Sequence, residues 1–69
     1  MSEAQAKAIY GRAVEALNRQ RWAEARQLAS SLLPRWAEHA GVNFVVGVGA
    51  HWMGDHRSAY QHLREAVRL

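Results

Sequence analysis

Residues 34 positions apart in this chain resemble one another along most of its length. Ala6 and Ala40, Val14 and Val48, Ala16 and Ala50, Ala25 and Ala59, and Gln27 and Gln61 are identical at that offset. Tyr10/Phe44, Ala13/Gly47 and Leu33/Val67 agree in class. An alanine-rich chain produces some identities by chance, so their weight lies in where they fall. Small residues recur where two elements must approach closely, and large ones recur between them. A chain of 69 residues then holds two copies of one unit. Together they form one domain, residues 1–69, with a thin core, because a chain of this size buries only about 60% of the surface it exposes when unfolded.

Each unit reads as a pair of helices. Ser2 followed by Gln5 is a capping-box signature for the first. Ile9, Ala13, Ala16 and Leu17 make its apolar stripe, and the polar string 18–21 closes it. A second helix is expected over residues 22–33, with Trp22, Ala25, Leu28, Ala29 and Leu32 on one side. Pro34 should stop it, since proline disfavours helical geometry at the residue before it. The third segment, residues 35–53, sends conflicting signals. Val42 to Val46 has local strand character, and Gly47 and Gly49 each weaken a helix by about 1 kcal/mol relative to alanine. A lone strand would have no partner strand, however, and Trp36, Ala40, Phe44, Gly47 and His51 fall at near-helical intervals, so we expect helix. Gly54-Asp55 supplies a stop and an N-cap. A fourth helix over residues 56–69 carries the stripe Ala59, Tyr60, Leu63, Ala66, Val67.

A period of that length, with two helices per unit, resembles the tetratricopeptide repeat family. In the second unit, about residues 40–69, Val46-Gly47 stands in the Leu-Gly slot and Gly54-Asp55 in the inter-helix turn, and Ala59, Leu63 and Ala66 fill the small, large, small positions. In the first, about residues 6–39, Arg12-Ala13 replaces Leu-Gly, and Trp22-Ala23-Glu24-Ala25 resembles the usual aromatic opening of a second helix. Ala29 and the early Pro34 depart from the pattern. The resemblance implies an all-α fold of two stacked antiparallel hairpins, four helices in all, forming a fragment of a right-handed α-solenoid. Ile9, Ala13, Ala16, Ala25, Leu28, Leu32, Val46, Gly47, Ala50, Ala59, Leu63 and Ala66 should make the shared core.

The resemblance further implies a concave face on the first helix of each hairpin. Lys7, Tyr10, Val14, Leu17 and Asn18 would supply it from one hairpin, and Gly41, Phe44, Val48, His51 and Trp52 from the other. The expected function is that of a protein-interaction or scaffold module, holding a peptide or helix of another protein on Tyr10, Phe44 and Trp52 as aromatic anchors. Family members that clamp a peptide's terminal carboxylate need polar donors where Tyr10, Val14 and Val48 stand, so that ligand is not expected. The same rings satisfy another reading, in which Tyr10 and Phe44 pack on each other and on Trp52 as core. Such arrays usually carry about three repeats and a polar cap. Two accounts therefore stand side by side: the chain is the repeat part of a larger protein, such as a bacterial enzyme, or Tyr60, Leu63 and Val67 form the face of a homodimer.

Other classes find less support. Nine Lys/Arg against six Asp/Glu give a net charge of +3, with eight of the nine bases arginine, scattered among glutamates. A nucleic-acid footprint concentrates its bases, so that partner is disfavoured, even though Trp22 and Trp36 lie near Arg19, Arg21 and Arg35. Without cysteine there is no disulfide or thiolate chemistry. No apolar run approaches the ~20 residues of a membrane span, nor does the start read as a signal peptide, so a cytoplasmic protein is expected. His39, His51, His56 and His62 are spaced twelve, five and six residues apart, giving no paired metal-ligand motif. Gly47-Val48-Gly49 lacks the third glycine of a dinucleotide loop and is better explained by close helix packing. No nucleophile or carboxylate pair is placed for catalysis, and neither enzyme activity nor a cofactor is expected.

Overall fold

The capping box at Ser2 opens the first helix, α1 (Glu3–Asn18), as its sequence implies. Gln5 N–H donates to Ser2 Oγ at 3.1 Å, and Ser2 N–H donates back to Gln5 Oε1 at 2.8 Å. The computed structural model describes residues 1–69; it is 80% helical and contains no strand. After α1 come α2 (Trp22–Ser30), the single turn α3 (Leu33–Trp36), α4 (Ala40–Trp52) and α5 (His56–Arg68). The helices pack antiparallel. α1 pairs with α2, and α4 lies between α2 and α5 while also touching α1. None of the helices is long and apolar enough to cross a membrane.

The two inter-helix turns are built alike, 34 residues apart. Arg21 N–H donates to the Ala16 carbonyl at 2.8 Å, and Asp55 N–H to that of Ala50 at 2.9 Å. Gln20 and Gly54, at the matching positions, donate to Leu17 and His51 at 3.0 Å each. Both adopt left-handed backbone, with φ of 61° at Gln20 and 82° at Gly54. This closure satisfies the last carbonyls of a helix and favours glycine at the left-handed residue. The first hairpin holds a glutamine there, at a local cost of about 1 kcal/mol.

Around Pro34 the chain departs from expectation. α2 ends at Ser30 and not at residue 33, and α4 begins at Ala40 and not at residue 35. Proline needs no N–H in the first turn of a helix, so Pro34 helps start α3 where the sequence expected it only to end α2. The start of α4 is then set by side chains. His39 is its N-cap, with Nδ1 accepting from Val42 N–H at 3.1 Å. Asn43 Nδ2 donates to the carbonyls of Ala37, at 2.9 Å, and His39, at 3.0 Å. Asn43 Oδ1 accepts from His62 Nδ1 on α5 at 3.0 Å, a role that gives His62 a proton on that nitrogen. Asn43 is only 2% exposed, yet all its side-chain hydrogen-bonding atoms are engaged.

Small residues let the helices close on one another. Ala6, Ala13, Ala16, Ala25 and Ala29 form most of the core, with Leu32, Val42, Val45 and Val46 as its larger members. Burial of these three valines overrides the strand preference of the 42–46 run. The glycines of α4 serve two different contacts. A Cβ on Gly47 would meet Leu63 Cγ of α5 at 2.7 Å, and one on Gly49 would meet Arg26 Cβ at 2.8 Å and the Trp22 carbonyl of α2 at 3.0 Å. Of the expected core, Ile9, Leu28, Leu63 and Ala66 are only partly buried and the rest fully so. Ala6, Ala29, Val42, Val45 and Asn43 are buried as well, beyond that expected set.

Candidate functional site

A chain with no unusual buried ionisable group and no cluster of metal ligands must be read from its surface. No group of three or more His, Cys, Asp or Glu side chains lies together as a metal site would require. His51 and His56 bring their rings to 5.7 Å. The neighbouring Asp55 is already engaged: its Oδ2 takes the Arg26 guanidinium at 2.6 Å and its Oδ1 accepts from Ser58 N–H at 3.2 Å. The bond from Arg26 first, and that from Ser58 second, hold the Asp55 carboxyl below its ordinary value. Arg26 sits on α2 and Asp55 is the N-cap of α5, so this ion pair ties the two hairpins together.

The aromatic residues assigned to one concave face lie in three places. Tyr10 stands edge-on to His39, with ring centroids 5.2 Å apart, and its hydroxyl occupies the space where a Cβ at Gly41 would be. With Lys7, Ala6, Leu32, Trp36 and Val42 it lines a cavity of about 110 Å³ between α1 and the α3–α4 corner. The Trp36 indole Nε1 is buried there without an acceptor. Trp52 lies at the other end of α4, stacked on Trp22 at 5.2 Å and 15°, with His51 edge-on to it. Phe44 meets neither; it lines an open apolar trough with Ala40 and Gly41 of α4 and Leu63, Ala66 and Val67 of α5. The three rings therefore do not pack together as core.

The remaining assigned residues fall around these features. Val14 and Leu17 are half-buried and pack against the core, and Asn18 is exposed at the end of α1. Val48 is half-buried and His51 exposed, one and two turns beyond Phe44 on the same side of α4. Tyr60 is 66% exposed and outside the lining of the trough. Leu63 and Val67, assigned to a separate self-association face, share the trough with Phe44. Nothing in the sequence hints at this convergence, because Phe44 and Val67 belong to different helices and their meeting depends on how closely Gly47 lets α5 approach. The pairing of Trp52 with Trp22 is hidden in the same way, since the two rings come from separate hairpins.

Large exposed apolar side chains are concentrated in the second half of the molecule. Apart from Met1, they are Phe44, Trp52, Met53, Tyr60, Val67 and Leu69, with Val67 the most open at 88%. α5 accounts for much of this: it is the most strongly amphipathic helix, yet only Ala59 of it is fully buried. Compared with known proteins, the chain matches no family model, no curated protein and no solved structure.

Proposed function

We propose that this chain is a two-unit, tetratricopeptide-like helical module that binds a segment of another protein in the trough between α4 and α5. The observation carrying the reading is the meeting of Phe44, Leu63, Ala66 and Val67 in one open apolar depression. Phe44 is 50% exposed and Val67 88%, so a partner covering them would remove apolar surface from water, the usual source of binding free energy. The turns whose bonds recur one period apart support the repeat-like part of the proposal, as does the matching start of α2 at Trp22 and α5 at His56. In this reading the module is a right-handed solenoid fragment and has no catalytic role. Its buried and bridging polar groups, Asn43, Asp55 and Arg26, are engaged in structural bonds.

The test is titration with a synthetic amphipathic helical peptide bearing leucines at i, i+3 and i+7, followed by amide chemical shifts. Shifts should move at Phe44, Leu63, Ala66 and Val67 and stay still along α1. Phe44→Ala should weaken binding roughly tenfold or more while helicity persists, because a half-exposed anchor contributes more to binding than to folding. Loss of helicity with that change would make Phe44 a core residue and remove the reading.

A further inference from the structure

We infer that the occupant of the α4–α5 trough is an acidic amphipathic helix, and that a second copy of this chain is disfavoured there; the inference rests on the trough reading above. The argument is one of charge. α4 contains no acidic residue, and α5 contains only Glu65, which is already bound by Arg68. Asp55, between them, is taken by Arg26. Arg57 and Arg64 remain on α5, exposed and without a carboxylate partner. A further acid, Glu38, lies ahead of α4 and acts on Arg68.

Helical register places Arg64 beside Val67 on the outer side of the trough, with Arg57 two turns nearer the start of α5 and beyond the trough's lining. Turning around α5 at about 100° per residue, one meets Leu63, then Val67, Tyr60, Arg64 and Arg57. Beyond Tyr60 the apolar surface therefore grades into positive charge, and Arg57 and Arg64 lie two turns apart on the same side of α5. A partner helix that seats apolar residues on Phe44 and Val67 would bring its flanking positions to these guanidiniums. Glutamate or aspartate there gives paired charges at the rim, which direct partner choice more than they add affinity.

The same arrangement opposes self-pairing. A two-fold antiparallel contact that set Tyr60 on Val67 of a second copy would pass its axis between residues 63 and 64. Arg64 of each copy would then come close to the other, and the neighbouring carboxylate, Glu65, is already held by Arg68.

The experiment uses two synthetic helical peptides with the same leucine stripe, one carrying glutamate and the other lysine at the flanking positions, with binding read by fluorescence anisotropy. The glutamate peptide should bind roughly tenfold tighter at low salt, from two rim pairs of modest strength, and the gap should narrow as salt is added. The double change Arg57→Glu, Arg64→Glu should reverse the preference without loss of helicity, since both side chains are exposed. Equal binding of the two peptides would overturn the charge inference and leave the trough standing. Binding of neither would overturn the trough and the inference together. A dimer of the free chain in sedimentation, dissolved by Val67→Asp, would assign the trough to a second copy and overturn the inference.

Discussion

α2 and α5 hold equivalent places in the two hairpins and have very different surroundings. Ala25 and Ala59, 34 residues apart, are both buried, at 0% and 4% exposure. Further along, the matches diverge: Ala29 is buried where Leu63 is partly open, and past the end of α2, Leu32 is buried where Ala66 is partly open and Leu33, in α3, is half-buried where Val67 is bare. The cause is the number of neighbours. α2 is held between α1 and α4, whereas α5 packs chiefly on α4. One kind of helix, placed once inside and once at the edge, therefore serves stability in the first position and presents an apolar surface in the second.

That contrast can be broken or sharpened by substitution, with stability read from urea unfolding followed by circular dichroism. The largest effect is expected at Leu32. Leu32→Ala should cost about 3 kcal/mol, because it opens a cavity in a core built mostly of alanine. A loss under about 1 kcal/mol would mean that the segment following α2 is no better packed than the matching part of α5. Gly49→Ala comes next. The added methyl must push α2 away through Arg26 and the Trp22 carbonyl, and overpacking outweighs the gain in helix propensity, for a net loss of about 1–2 kcal/mol. An unchanged midpoint would show that α2 and α4 do not approach so closely.

The turns sharpen the comparison in the opposite direction. Gln20→Gly should stabilise the first hairpin by about 0.5–1 kcal/mol, by relieving a left-handed residue that its counterpart Gly54 accommodates freely. Destabilisation by that change would show that Gln20 does not hold positive φ in solution. Acid should weaken the junction between the hairpins. The Asp55 carboxyl titrates lower in the folded chain than its ordinary value of 3.8, so its stabilising effect is complete above that value. It is lost as pH falls through the lower, folded value. Asp55→Asn should flatten this part of the acid-unfolding profile, and an unaltered profile would count against the Arg26–Asp55 pair. The smallest effect on folding belongs to the exposed edge: Val67→Ser should change stability by no more than about 0.5 kcal/mol while weakening peptide binding. A larger loss of stability would show that Val67 is packed within the chain.

Much of this fold was legible in the residues. The capping pair Ser2 and Gln5, the Gly54-Asp55 stop and cap, and the small residues at Ala13, Ala25, Gly47 and Ala59 all act where the sequence places them. The region around Pro34 misled because its outcome is set by Asn43, a residue several positions downstream that reaches back to two carbonyls. The surface was harder still to anticipate. Tyr10, Phe44 and Trp52 share a helical pattern and an aromatic character, but each ring settled on whatever the neighbouring helices offered: His39, the α5 edge and Trp22.

By itself the sequence determined which segments coil and most of the places where they stop, since caps, left-handed turns and apolar spacing act through bonds spanning a few residues. Tertiary structure alone decided which apolar side chains remain in water. That outcome depends on how many helices surround each one, and α5 has one extensive helix contact where α2 has two.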